Sequence, residues 1–232
     1  MKAIHTKFNF NDSLEQMDEI LKSDGIIMKN KPYIEDDAKG ARGSIISATI
    51  VSLKFTPDSG IKDSPEKWVV TNDILLSQIY ALVASQPLLL NVEWDGYKLN
   101  AIFNTTHKEH VDAVLDTVAM LISLTDVINY KIEEQGWSFK VKAVMDYGKV
   151  LSIPIDEGNT LWKIDGLVIL DEILNRLNTK RLVITSFIFN NLKESYQSLF
   201  EKIEPFDSKY YHGDIVNIGM NNWLKKQKGE KV

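Results

Sequence analysis

The sequence predicts an α+β fold, a ferredoxin-like βαββαβ core with additional C-terminal strands and helices. Three observations carry this reading. Between Ser44 and Lys149 the apolar pattern switches period in the order strand, helix, strand, hairpin strand, long helix, strand. The inner pair of strands flanks Asp95-Gly96, a dipeptide suited to a tight hairpin. From Lys108 to Glu134 an apolar stripe of helical spacing is long enough to cover a sheet.

Each element has its own justification. Asn11-Asp12-Ser13 precede Leu14, Met17, Ile20 and Leu21, a capped amphipathic helix ending near Gly25. Residues 29–43 are charged and turn-rich and close on Gly40-Ala41-Arg42-Gly43, which reads as a linker. Ser44 to Leu53 is apolar and β-branched without helical spacing, a buried strand. Thr56 through Pro65 reads as loop from its Pro and Gly content. Thr71-Asn72-Asp73 is then expected to cap a helix with Ile74, Leu75, Ile79, Leu82 and Val83 on its core face and Pro87 at its close.

Leu88, Leu90, Val92 and Trp94 alternate with Leu89, Asn91 and Glu93, and after Asp95-Gly96 the partner strand alternates Tyr97, Leu99, Ala101 and Phe103 with Lys98, Asn100, Ile102 and Asn104. The long helix buries Val111, Val114, Leu115, Val118, Leu121, Ile122, Ile128 and Ile132. Phe139, Val141, Ala143 and Met145 mark a strand, which Asp146-Tyr147-Gly148 is expected to turn into Lys149 to Ile153. A loop through Pro154 and Gly158 leads to Trp162, then to a helix carrying Leu170, Ile173, Leu174 and Leu177. Leu182 to Thr185 is a strand with a short helix behind it, and Tyr210-Tyr211-His212-Gly213 precedes a last amphipathic helix with Met220, Trp223 and Leu224. The expected organisation is a helix and linker over 1–43, a core domain over 44–192, and an extension over 193–232 packing on the same domain.

Composition narrows the function classes. The chain has 232 residues, 44% hydrophobic and 25% charged, enough apolar material for one sizeable core. It contains no cysteine, which excludes disulfides, thiolate metal sites and a thiol nucleophile. The net charge of −5 argues against nucleic acid or an anionic membrane as a partner. No apolar run approaches the roughly 18 residues of a membrane span, and the first residues lack the apolar stretch of a secretory signal. A cytoplasmic location is expected. His107 and His110 share a helical face without an acidic companion and read as surface, so no metal site is assigned.

Local motifs point further. Gly96-Tyr97-Lys98-Leu99-Asn100-Ala101-Ile102-Phe103 resembles the hairpin motif of class III nucleotidyl cyclases, Gly-Asp-x-x-x-Ala-x-Phe. Val141 to Val150 resembles their Arg-x-Gly-Ile-Asp-x-Gly-x-Val segment, with Asp146 on the matching Asp. Ile45 to Ser52 sits where that family has its first strand, Trp162 to Leu177 where it has Gly-Asp-x-Val-Asn-x-Ala-x-Arg-Leu, and Leu182 to Ser186 with Asn191-Leu192 resembles its closing strand. The resemblance spans residues 44–192. Its flavour is closest to the short pyrimidine (cytidylate and uridylate) cyclases of bacterial anti-phage defence, which resemble this chain again at Tyr211-His212-Gly213 and the terminal Trp223-Leu224 helix.

The resemblance implies closure of a nucleoside triphosphate to a 3′,5′-cyclic monophosphate with release of pyrophosphate. Two magnesium or manganese ions, held by a carboxylate on the first strand and another at the hairpin, would carry that chemistry. By spacing those positions are Thr49 and Tyr97, neither of which supplies an anionic oxygen near neutral pH. The family's ribose-orienting Asn falls on Val168 and its transition-state cation on Glu172. An anion there opposes the charge that develops on the phosphate.

Three acidic features could rescue activity: Asp95 at the hairpin, Asp165 in the later motif, and the displaced string Gly213-Asp214-Ile215-Val216-Asn217. Each also has a structural reading as turn former or helix cap. Glu93 stands where purine cyclases carry a base-reading Lys, and Trp162, with Trp94 and Tyr97, offers a ring on which a base could stack. The favoured expectation is a catalytically degenerate cyclase homologue, without resident cofactor, that forms a homodimer or pairs with a related cyclase and takes a nucleoside triphosphate as a possible ligand. The alternative is an active divergent cyclase, pyrimidine-directed, that uses Asp95 and Asp165. A third reading is a nucleotide sensor that keeps the cleft and not the reaction.

Overall fold

Strand β2 organises the molecule. A computed structural model of the chain describes residues 27–28, 43–58, 65–133, 136–156, 159–164, 172–175, 179–203 and 209–230. The helix expected at 11–25 and the linker residues 29–42 lie outside the described residues. The elements are β1 (Ile27–Met28), β2 (Ser44–Pro57), α1 (Pro65–Ala84), β3 (Leu89–Asp95), β4 (Lys98–Phe103), α2 (Lys108–Ile132), β5 (Phe139–Asp156), β6 (Asn159–Ile164), β7 (Leu182–Thr185), α3 (Ser186–Asn191), α4 (Glu194–Gln197), β8 (Glu201–Lys202), β9 (Tyr210–Gly213) and α5 (Ile218–Gln227). Residues 172–175 add one helical turn before β7.

Among the described residues the strands join one sheet in the order β3-β4-β2-β5-β7-β9-β8, with β1 beside β2 and β6 beside β5. The expected βαββαβ core is β2-α1-β3-β4-α2-β5, whose four strands are antiparallel neighbours. Strand β7 then joins β5 in parallel, and β9 and β8 extend the same sheet. The C-terminal strands therefore lengthen the core sheet.

Because successive side chains on a strand point to opposite faces, β2 feeds two clusters. Val51, Leu53 and Phe55 face α1 and α2 and pack with Leu75, Ile79, Val114, Leu115, Val118 and Ile122. Ile46, Ala48 and Ile50 face the other side and pack with Ile102, Val144, Val150 and Val183. That second face carries no long helix among the described residues; Ile173 and Leu174 of the 172–175 turn cover part of it. All eight residues of the predicted α2 stripe are buried.

The structure corrects four local expectations. Asp146-Tyr147-Gly148 makes no turn: β5 runs unbroken because these residues pair with Ile50, Thr49 and Ala48 of β2. Ladder hydrogen bonds along a 14-residue register outweigh the local turn tendency of Asp and Gly. Helix α1 starts at Pro65, where a missing N–H and a fixed φ suit the first helical position, so Thr71 and Asn72 are buried interior residues and not caps. The hairpin places Asp95 opposite Lys98, which makes Gly96 and Tyr97 the loop pair; Gly96 takes the required positive φ of 58°. Trp162, expected between a loop and a helix, lies on strand β6, paired with Ser152.

Gly213 is where the added strands meet the rest. A Cβ there would lie 2.8 Å from the Leu199 carbonyl oxygen and 3.0 Å from a Phe200 ring carbon, so only glycine fits without backbone movement. Gly213→Ala is expected to destabilise the chain by about 1–3 kcal/mol through overpacking. The readout is a thermal melt; an unchanged midpoint would contradict this packing.

Candidate functional site

The hairpin end of the open sheet face collects the polar residues. Lys54 of β2 lies directly opposite Lys98 of β4 on one side and Lys142 of β5 on the other. The pleat sends Lys54 away from its neighbours Leu53 and Phe55, which are in the helix-side core. Three lysines therefore stand in one row across three adjacent strands, with Cβ atoms of neighbours about 4.5–5.5 Å apart. Asp95 of β3 continues the row beyond Lys98. One row further in, Glu93, Asn100 and Ser52 share the same register, and the buried Ser52 hydroxyl donates to Asn100 Oδ1 at 2.7 Å.

The 172–175 turn closes over this end. Lys54 Nζ donates to Asn175 Oδ1. Lys54, Asp95, Tyr97, Lys98, Leu174 and Asn175 line a cavity of about 220 Å³. A wider cleft of about 580 Å³, lined by Tyr130, Trp137, Leu224 and Lys228 among others, contains none of the residues expected at the nucleotide site. The hairpin cavity is the better candidate because its lining converges polar groups from four separate segments.

The residues expected at the site are only partly brought together. Asp95 is exposed and lines the cavity. Glu93 is exposed on the same face, one row in, and its Oε1 accepts from Asn91 Nδ2 at 3.1 Å. Tyr97 sits at the tip, half-buried, with its ring 6.1 Å from that of Phe139, and its carbonyl accepts from Phe55 N at 2.8 Å. Thr49 is elsewhere. It is fully buried, paired with Phe103 and Tyr147, and its hydroxyl shares a 2.7 Å hydrogen bond with Thr105.

Thr49 lies five residues from Lys54 along an extended strand, about 17 Å, so it and Tyr97 do not form a pair. Spacing within the first-strand motif misassigned the position beside the hairpin, since β2 continues to Pro57 and presents Lys54 there. Trp162 is also remote. It pairs with Ser152, ten residues from Lys142 along β5, about 33 Å, and packs half-buried on the far part of the open face.

Glu172 is exposed and stands three residues before Asn175 on the covering turn. Burial, together with the Asp146 and Glu172 carboxylates, pushes the Tyr210 phenol above its ordinary range. Asp146 itself accepts from the Tyr147 amide at 2.8 Å. Asp165 and Val168 lie outside the described residues.

The Gly213-Asp214-Ile215-Val216-Asn217 string is accounted for by structure. Asp214 accepts from Arg181 Nε at 2.6 Å, while Arg181 Nη1 donates to Asp126 of α2 at 2.6 Å. Burial works to lower the Arg181 pKa, but its hydrogen bonds to Asp126 and Asp214 hold it above the ordinary guanidinium value. Asn217 caps α5 by accepting from Met220 N at 3.0 Å.

Sequence reasoning missed Lys54, Lys98, Lys142 and Asn175 as a group. The usable signal was parity: each lysine directly adjoins a residue of the helix-side core on its own strand, at Leu53, Leu99 and Val141. Which strands are neighbours, and in what register, is what aligns the three.

Neither a protein-family model nor a curated protein sequence matches the chain. Solved structures do. The guanylyl cyclase Cya2 superposes with a TM-score of 0.58 at 13% identity over 76% of this chain and 95% of its own. The adenylyl cyclase CyaB from Pseudomonas aeruginosa superposes with 0.57 at 8% identity over 75% and 97%. A class III adenylyl cyclase-like ATP-binding protein from Pseudomonas aeruginosa superposes with 0.62 at 15% identity over 92% of this chain, which spans about half (49%) of that protein. The chain therefore has the class III nucleotidyl cyclase fold. No described helix is long and apolar enough to cross a membrane.

If Asp214 serves the Arg181 clamp, Asp214→Asn costs about 1 kcal/mol, modest because the pair is partly exposed. The melting midpoint should fall by about 2–4 °C. A variant of unaltered midpoint that lost a nucleotide response instead would restore a ligand-site role to the string.

Proposed function

We propose that this chain is a class III nucleotidyl cyclase homologue that has lost catalysis and serves as a dimerising regulatory or nucleotide-sensing partner in bacterial cyclic-nucleotide signalling of the anti-phage type. The observation that carries this reading is the lysine pair at the hairpin. The reaction of this fold's active members needs two carboxylates beside the hairpin to hold two divalent cations. Among the described residues the cavity there offers one carboxylate, Asp95, against Lys54 and Lys98. Two ammonium groups repel divalent cations, and a lysine has no lone pair to donate while protonated. These residues do not fit a pair of magnesium or manganese ions, so no step is derived through them.

What the arrangement does suit is anion binding. Lysines supply donors and positive charge, and Glu93 on the same face supplies acceptors for an exocyclic amine. One protein of the same fold is described as adenylyl cyclase-like and ATP-binding, which supports a nucleotide-binding role without cyclisation. The competing reading, an active divergent cyclase built on Asp95 and Asp165, draws its support from the position of Asp95 in the cavity.

The deciding experiment incubates pure protein with ATP, GTP, CTP or UTP and magnesium or manganese, then separates products by chromatography. No cyclic nucleotide is expected. Turnover that Asp95→Ala abolishes would overturn the proposal. Thermal melts with the same nucleotides then separate sensor from scaffold. A ligand at about 100 times its dissociation constant stabilises by about 2.7 kcal/mol, which is roughly 5–10 °C for a chain of this size. No shift with any nucleotide leaves the scaffold.

A further inference from the structure

We infer that the 172–175 turn is an autoinhibitory cover on the hairpin cavity: Leu174 plugs it, Asn175 latches the turn to Lys54, and a nucleotide enters only when the turn lifts from the sheet. The inference rests on the reading that this cavity is the nucleotide site, and it deepens that reading by naming the element that regulates access.

The cavity is too small for its ligand as it stands. It encloses about 220 Å³, whereas pockets for drug-sized ligands run to about 300–1,000 Å³. A nucleoside triphosphate is no smaller than such a ligand, so part of the lining has to move. Three walls form that lining: Lys54 of β2, then Asp95, Tyr97 and Lys98 of the hairpin, then Leu174 and Asn175 of the turn. The first two walls are tied together by backbone. Lys54 pairs with Lys98 at the end of the β2–β4 ladder, β2 is paired with β5 along its other edge, and Phe55 N donates to the Tyr97 carbonyl at 2.8 Å. Displacing either wall breaks ladder hydrogen bonds.

The turn is held differently. Among the described residues no backbone hydrogen bond joins 172–175 to a strand. Side chains hold it instead. Asn175 Oδ1 accepts from Lys54 Nζ. Ile173 and Leu174, 6% and 5% exposed, pack into the cluster of Ile46, Ile50, Val144 and Val183. Glu172 lies close enough to Tyr210 to act on its phenol. Two buried apolar side chains keep such a cover shut most of the time. The apparent dissociation constant is then the intrinsic one divided by the fraction open. Loosening the cover therefore tightens binding. A side chain that touched the nucleotide would give the opposite sign, because its removal would weaken binding.

The test compares the full chain with its Asn175→Ala and Leu174→Ala variants. Each is titrated calorimetrically with ATP, GTP, CTP and UTP, and hydrogen exchange is followed by mass spectrometry in peptides that contain 172–175. Both substitutions are expected to speed exchange at the turn and to lower the dissociation constant of a bound nucleotide at least threefold. Binding by a variant where the parent binds nothing supports the inference equally. Thermal melts check that the variants fold; Asn175 is exposed, so Asn175→Ala keeps the test decisive if Leu174→Ala does not fold. An affinity that is unchanged or weaker in Asn175→Ala overturns the inference while leaving nucleotide sensing intact. Tighter binding without faster exchange at the turn overturns it too, since the gain then owes nothing to opening. No binding by the parent or either variant removes both the inference and nucleotide sensing.

Discussion

Strand β2 is hydrogen-bonded on both edges, to β4 over Thr49–Lys54 and to β5 over its full length from Ser44 to Pro57. Everything else in the molecule takes its position from that double pairing. The side-chain period of a strand is two, so a slip of one residue would exchange the two faces of β2. Val51, Leu53 and Phe55 would leave the helix-side core, and Lys54 would enter it. Burying even one unpaired ammonium group is far more costly than any local preference. The register is thereby held by apolar burial on both faces and, at the hairpin end, by the charge of Lys54.

The same pairing explains why the hairpin site has its composition. The fold brings the first strand of the core and the hairpin together at this end of the sheet. Here the first strand delivers Lys54 and the hairpin delivers Lys98 and Asp95. A scaffold shared with solved guanylyl and adenylyl cyclases thus carries lysines at this end of its sheet, consistent with the rule that a fold does not carry its chemistry with it. The turn at 172–175 completes the site by laying Asn175 over Lys54, which ties the covering segment to the charged row.

Much of the fold was legible because its signals are local and redundant. The α2 stripe from Val111 to Ile132 repeats the helical period along most of a 25-residue helix, and every member is buried. The hairpin around Gly96 combines alternation with a glycine at positive φ. The candidate site was less legible. Asp95 and Glu93 lie on the face of the hairpin cavity, whereas Thr49 lies mid-strand in β2, about 17 Å from Lys54, and Trp162 about 33 Å from the hairpin along β5. Motif spacing assumes that strand lengths match those of the family; β2 and β5 are longer than the motifs suggest, and residues anchored to their ends shift accordingly.

The division between sequence and structure follows from the range of the forces involved. Helix periodicity, hairpin alternation and the absence of cysteine are properties of neighbouring residues or of composition, and they determined the α+β class, the core element order and the excluded chemistries without coordinates. The continuity of β5 through Asp146-Tyr147-Gly148, the burial of Thr49 against Thr105 and the assembly of the lysine row were decided by tertiary structure alone. Lys54, Lys98 and Lys142 are 44 residues apart in succession, and each by itself is an ordinary outward lysine on a strand. Only the hydrogen-bonded register between three strands makes them one charged surface.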